Sequence, residues 1–225
     1  AVSNVTIAVE NITYNDIEYA NITIPNHNAS GRVIIKVDGK AYVIRNIDNN
    51  TPINLALDEL AVGEHYIDVE YFDDVNYNKS TAHAAFNVTK SDIPDENITV
   101  VPTNITYLNN ETITVTVPIS NASGKVVIKV NGTSKDERTV SGDNPSYNIT
   151  IEGLAVGEYN VTVEYSDDPN YNSSNASTVF HVDKANVPDA NMTVVPTNIT
   201  YLDDETIVVT VNVTNATGNV TISVD

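Results

Sequence analysis

The segment NITYNDIEYANITIP, beginning at Asn11, returns 93 residues later as NITYLNNETITVTVP from Asn104, and after a further 94 as NITYLDDETIVVTV from Asn198. The rest of the chain keeps step with it. Asn28-Ala-Ser-Gly recurs as Asn121-Ala-Ser-Gly and Asn215-Ala-Thr-Gly, LAVGE occurs at Leu60 and Leu154, and VEYFDDVNYN from Val69 returns as VEYSDDPNYN from Val163. A period of 93–94 residues has the length of a domain, not of a solenoid repeat. The chain therefore divides into two complete units, residues 1–90 and 91–184, and the opening strands of a third, 185–225. The short junctions KSDIPDEN (Lys90 to Asn97) and DKANVPDAN (Asp183 to Asn191) set neighbouring units end to end.

Within a unit the apolar residues recur with a period of two. In Glu158-Tyr-Asn-Val-Thr-Val-Glu-Tyr, Tyr159, Val161, Val163 and Tyr165 share one face, and Asn160, Thr162 and Glu164 the other. Strands with one wet and one dry face belong to antiparallel sheets. Turn signals divide the first unit into strands near 4–9, 18–24, 32–38, 41–46, 53–57, 64–72 and 80–89. About seven short alternating strands in such a length is the pattern of an immunoglobulin-like sandwich. The expected fold is thus all-β: tandem immunoglobulin-like β-sandwiches of about seven antiparallel strands each, arranged as an elongated rod. There is no Cys and no Trp, so aliphatic and Tyr layers must carry the packing. His65 stands where the strand pattern calls for Tyr.

Thirty acidic residues against eleven basic ones give a net charge of −19, which repels nucleic acid and anionic membrane surfaces. No apolar run reaches the length of a membrane-spanning helix. The opening AVSNVTIAVE has neither region of a signal peptide, so a leader is expected to be absent or already removed.

The segment 154–172, LAVGEYNVTVEYSDDPNYN, resembles the end of a bacterial Ig-like repeat of group 3, in which a Gly-x-Tyr-x-Val-x-Val-x-Tyr strand runs into an Asp-Asp-x-Asn-Tyr hairpin. The Asn- and Thr-rich acidic style is similar to that of the adhesin-like surface proteins of methanogenic archaea, which carry such repeats in tandem. The resemblance implies an extracellular, cell-surface location and a non-enzymatic role as stalk, adhesin or filament component of a longer protein. It implies neighbouring repeats as contacts, other copies in a fibre or bundle, and an unspecified host or cell-surface ligand. No direct membrane insertion is expected of this segment.

Of 31 Asn, 21 begin an Asn-x-Ser/Thr triplet, the acceptor for N-linked glycans in exported proteins. The candidates are Asn4, Asn11, Asn21, Asn28, Asn78, Asn97, Asn104, Asn121, Asn131, Asn148, Asn160, Asn172, Asn198, Asn212 and Asn215. Asn-Ile-Thr is also how a half-buried strand reads, with polar residues outward and one apolar residue inward. The turn triplets at Asn28, Asn121 and Asn215 escape that second explanation.

The adjacent carboxylates Asp73-Asp74 and Asp167-Asp168 are weak calcium candidates, since hard cations take six to eight oxygens and no EF-hand loop is present. Turn chemistry explains them better: Asp side chains accept local backbone hydrogen bonds, and Tyr77 and Tyr171 would fold back over the hairpins. The four His form no paired metal or catalytic motif, so no catalytic residue and no cofactor are expected. The alternatives to a stalk are a filament or surface-layer subunit whose unfinished third unit is completed by strands of a neighbour, and an array of carbohydrate-binding modules that use the Asp-Asn-Tyr loops. The chain is expected to continue past Asp225.

Overall fold

The structure, a computed structural model, describes residues 4–47, 51–93 and 97–224. The alternating segments form two sandwiches on one plan. In the first, β1 (Thr6–Ala8), β3 (Glu18–Thr23) and β6 (Ile53–Leu57) make one sheet in the order β1-β3-β6. The facing sheet runs β2 (Ile12–Thr13), β8 (Ser80–Thr89), β7 (Gly63–Phe72), β4 (Arg32–Val37) and β5 (Lys40–Asn46). In the second sandwich the same places are taken by β9 (Thr99–Val101), β11 (Glu111–Thr116) and β14 (Ser146–Ile151), facing β10 (Ile105–Thr106), β16 (Ser174–Asp183), β15 (Gly157–Ser166), β12 (Lys125–Val130) and β13 (Thr133–Thr139).

One expected strand divides. The opening strand leaves the smaller sheet after Ala8 and rejoins the larger one as β2, parallel to β8, with Ile12 opposite Val88; β10 does the same with Ile105 opposite Val182. The crossing is tied by side chains, Asn11 Oδ1 accepting from Asn87 N at 2.8 Å and Asn104 Oδ1 from His181 N at 2.9 Å. Both sandwiches are therefore antiparallel except along this one short edge.

Each sandwich has its own core. Val33, Ile35, Ile67, Val69 and Tyr71 face Ala20, Ile22, Leu55 and Leu57 in the first, and Val126, Ile128, Val161, Val163 and Tyr165 face Ile113, Val115, Ile149 and Ile151 in the second. Full burial of each such aliphatic side chain contributes about 1.5–3 kcal/mol. Beyond them, β17 (Met192–Val195) pairs antiparallel with β18 (Val208–Val211). The third strand expected at 220–224 is not formed. In the second unit its counterpart β12 is held between β13 and β15, and among the described residues of the third unit no such flanking strands are paired with 220–224.

The irregular core position at His65 has a chemical resolution. In the second sandwich Tyr159 stacks on Phe180 at 5.2 Å and its hydroxyl donates to Ala155 O at 3.0 Å. His65 stacks on Phe86 at 5.6 Å and places Nε2 2.7 Å from Ala61 O and Nδ1 2.7 Å from Asp38 Oδ2. With an acceptor at each nitrogen, the imidazolium fits better than the neutral ring. Burial opposes the charge, but the bonds to Ala61 and Asp38 carry the His65 pKa above its ordinary 6.5. A raised folded-state pKa means that the stabilisation is complete below 6.5 and is lost as pH rises through the folded value. The first sandwich is thus expected to unfold at lower denaturant concentration at pH 8 than at pH 6. A His65→Tyr variant should remove that difference, as read from urea midpoints at the two pH values.

Candidate functional site

The two VEYxDDxNYN hairpins are built around one internally bonded carboxylate each, buried at Asp168 and half-buried at Asp74. Asp168 is 1% exposed. Its Oδ1 accepts from the backbone N–H of Asn170 at 2.7 Å and of Tyr171 at 3.1 Å, and its Oδ2 from Ser123 N at 2.8 Å and from the Tyr165 hydroxyl. Asp74 repeats the set with Asn76 N at 2.7 Å, Tyr77 N at 3.0 Å, Ser30 N at 2.6 Å and the Tyr71 hydroxyl. The Tyr71 hydroxyl bond and the backbone donors hold the Asp74 carboxyl down to about 2, and burial together with Asp74 pushes Tyr71 up to about 12. Burial pushes the Asp168 carboxyl up, yet the Tyr165 and amide donors keep it below the ordinary range.

This carboxylate joins two parts of the sequence that were read separately. Asn121, at φ 51°, turns the chain in the left-handed region, Ala122 is buried, Ser123 donates to Asp168, and the Gly124 N–H donates to Tyr165 Oη at 3.2 Å. A Cβ on Gly124 would lie 2.6 Å from Ser166 O and 2.6 Å from the Tyr165 ring, so only glycine fits; Gly31 meets Phe72 and Tyr71 in the same way. The recurring Asn-Ala-Ser-Gly is therefore the receptor for the hairpin. Its recurrence has a structural cause independent of its being a glycan acceptor. The neighbouring carboxylates do different work. Asp73 and Asp167 are exposed, take the left-handed conformation at φ 58° and 59°, and leave their oxygens in solvent, Asp73 within 3.9 Å of Arg32 Nη1. Of the four weak calcium candidates, Asp74 and Asp168 thus have their oxygens engaged by internal donors, and no group of three metal-ligating side chains occurs among the described residues.

All fifteen candidate glycan acceptors are exposed, Asn4, Asn97, Asn198 and Asn212 among them. Several use only Oδ1 internally, as Asn131 does toward Asn160 N and Asn148 toward Thr114 Oγ1, which leaves Nδ2 outward. Asn172 and Asn215 differ. Their Nδ2 atoms donate to Asp92 Oδ1 at 2.7 Å and to Tyr107 Oη at 3.2 Å.

Those two bonds mark the place where units meet. Tyr14 of the first unit sets its ring edge-on to Tyr171 of the second, with centroids 5.4 Å apart and planes at 83°, and packs against both cores. Asn15 Nδ2 donates to Tyr171 Oη at 2.8 Å, and that hydroxyl donates to Ser120 O at 3.1 Å. Lys90 Nζ donates to Asp168 O at 2.6 Å. Ser91 N bonds Asn170 O at 3.0 Å and Ser91 O accepts from Asn172 N at 2.9 Å, so the junction runs as a short parallel bridge beside the hairpin. Ile93 is buried in the second core. The same hairpin that closes the second sandwich is thus the socket for the first. Tyr171 is 5% exposed there, whereas Tyr77, the corresponding tyrosine of the first unit, is half-buried. The sequence reading placed Tyr171 over its hairpin but missed Tyr14, Asn15 and Lys90. For Tyr14 and Lys90 the signal was their recurrence, as Tyr107 and Tyr201 and as Lys184; Asn15 does not recur and gave none.

Replacing Asp168 by Ala strands three amides and a buried hydroxyl, and should cost the second sandwich about 3–5 kcal/mol in a denaturant titration. Asp167→Asn, which keeps a residue tolerant of the left-handed region, should be close to neutral. Because the Asp74 pKa is lowered, its contribution is present above the ordinary 3.8 and disappears as pH falls toward about 2. Asp74→Asn should flatten that acid limb of the first sandwich's stability.

Residues 98–183 match the sequence profile of the bacterial Ig-like domain (group 3). No curated protein matches the chain. Solved structures similar to it include the fibronectin(III)-like modules of Clostridium thermocellum CbhA (14% identity over 80% of this chain and 95% of that one, TM-score 0.32). Others are the central fibronectin-III array of RIM-binding protein (20% identity, 93% and 78%, TM-score 0.33) and the BSP domain of a biofilm associated protein (16% identity, 81% and 30%, TM-score 0.30). The chain is an all-β array of immunoglobulin-like sandwiches, the second of which matches the bacterial group 3 profile.

Proposed function

We propose that this chain is a length of extracellular, non-enzymatic stalk in a cell-surface adhesin-like protein or filament. The observation that carries the reading is the joint. Tyr14, Asn15, Lys90 and Ser91 all spend their bonding capacity on the next unit's hairpin. A freely hinged linker would leave them to solvent. Contacts of this kind resist bending between repeats, which is what a spacer that holds a distal region away from a surface requires. The same hairpins are the loops a carbohydrate-binding array would need, and their Asp74 and Asp168 carboxylates are already filled by internal donors, which favours the stalk. The net charge of −19 keeps neighbouring stalks apart over most of their surface.

Small-angle scattering tests the joint directly. The wild-type chain should scatter as an extended particle with a narrow distribution of end-to-end distance. Tyr14→Ala combined with Asn15→Ala should broaden that distribution while leaving far-UV dichroism unchanged. A wild-type profile already fitted by freely jointed units would refute the stalk reading.

The export half of the proposal rests on the Asn-x-Ser/Thr triplets. In native material, glycopeptide mass spectrometry should find N-linked glycans on outward-facing acceptors such as Asn131 and Asn160, and an unmodified Asn172, whose Nδ2 is held by Asp92 in the joint. Unmodified peptides throughout would reject it.

A further inference from the structure

The sheet edges of a sandwich differ in how they are guarded. β13 carries Lys135, Asp136, Glu137 and Arg138, and its pairing with β12 slips by a bulge between Ile128 and Lys129. Charges and bulges are the devices that keep an edge from pairing with another chain. β14 is the outermost strand of the other sheet, with β11 on one side and, among the described residues, no strand on the other. It has neither device. Its sequence SYNITI contains no charge, no Gly and no Pro, and its register with β11 is unbroken over all six residues. The solvent face beside it is also free of charge, formed by Thr112, Thr114, Thr116, Ser146, Asn148 and Thr150. β6 in the first unit is uncharged too, but shorter by one residue, and it is followed by two acids, Asp58 and Glu59, where β14 is followed by one, Glu152.

In a chain of net charge −19, most surfaces of two copies repel each other. A partner recognised by charge would need basic groups to meet; a second copy needs a strand on which like charges are missing, and β14 from Ser146 to Ile151 is one, with Glu152 just beyond it. We propose that β14 pairs antiparallel with β14 of a second copy of this chain, across a two-fold axis, so that two three-stranded sheets become one continuous sheet. This goes beyond the stalk reading and names how stalks associate sideways.

Side-chain alternation fixes the register. Residues opposite each other in an antiparallel pair lie on the same face, so a two-fold between two residues would set Asn148 against Ile149 and is excluded. With the axis on Asn148, Ser146 lies opposite Thr150 of the second copy, and Tyr147 opposite its Ile149. Polar residues then face polar ones outside and apolar face apolar within. Tyr147 is already roofed by Arg138, whose guanidinium sits 4.9 Å from the ring centre. Asn148 faces its own counterpart, an amide pair with donors and acceptors on both sides.

The test uses the whole 225-residue chain, produced without glycans so that the acceptor at Asn148 stays bare. Sedimentation equilibrium from micromolar to millimolar protein, in high salt to screen the self-repulsion, should show a dimer. Amide hydrogen exchange should slow over 146–151 as the dimer fills. Asn148→Glu sets two carboxylates face to face on the axis and should weaken association by about tenfold or more, whereas Asn148→Gln should retain it, with equal melting temperatures for both variants. A chain that stays monomeric throughout, a dimer whose 146–151 amides exchange at the monomer rate, or dimerisation indifferent to Asn148→Glu would overturn the proposal.

Discussion

A carboxylate drawn out of water is stable only if its oxygens find donors, and in each complete repeat one aspartate, buried at Asp168 and half-buried at Asp74, is held by three backbone amides and a tyrosine hydroxyl. Everything at that end of the sandwich is arranged around it. The buried Tyr165 donates its hydroxyl to Asp168, the turn before β12 is pulled in through Ser123, and the hairpin closes through Asn170 and Tyr171. Gly124 must be glycine because the tyrosine ring passes where a Cβ would be. With no disulfide and no tryptophan available, this polar knot pins the β15–β16 hairpin to the loop that carries the chain from β11 into β12, and gives that corner a single shape.

That shape matters because the corner is also the socket of the joint. The hairpin presents Asp168 O, Asn170 O and the Tyr171 ring to the preceding unit in a geometry set by the buried carboxylate. Folding of one repeat therefore prepares the seat for its neighbour. Since Tyr14 packs on both cores, burial at the joint is shared between units. A second acid works on the same principle further down the sandwich: Glu111, fully buried, accepts from Thr103 N at 2.7 Å and holds the crossing between sheets, and Glu205 with Thr197 repeats the arrangement in the third unit.

The repeat and the period-two alternation made the fold legible, since both arise from local chain geometry: inward Val, Ile and Tyr at every second position allow little else. The turn role of the paired aspartates was legible as well, because Asp side chains bond amides two or three residues ahead. What alternation does not encode is contact between segments far apart in sequence. Nothing local says that Ser123 reaches Asp168, 45 residues on, or that Asn15 reaches Tyr171, 156 residues on. Nor does it reveal that a strand will change sheets midway, as the opening strand does at β2, because both halves present the same alternation. Triplets such as Asn28-Ala-Ser carried two meanings at once, glycan acceptor and hairpin receptor, and only the fold separates the second from the first.

The left-handed residue after the joint tyrosine is Asn15 in the first unit but Leu108 in the second and Leu202 in the third, at φ 69°, 76° and 76°. The backbone turn is kept, while the amide that bonds Tyr171 has no counterpart in a leucine side chain. The joints along this chain are consequently not copies of one another. In a series of links, the total bend is the sum of what each link allows, so a few compliant links dominate the flexing of the whole. An array assembled from near-identical repeats can thus have its points of give written into it one residue at a time, with each sandwich left unchanged.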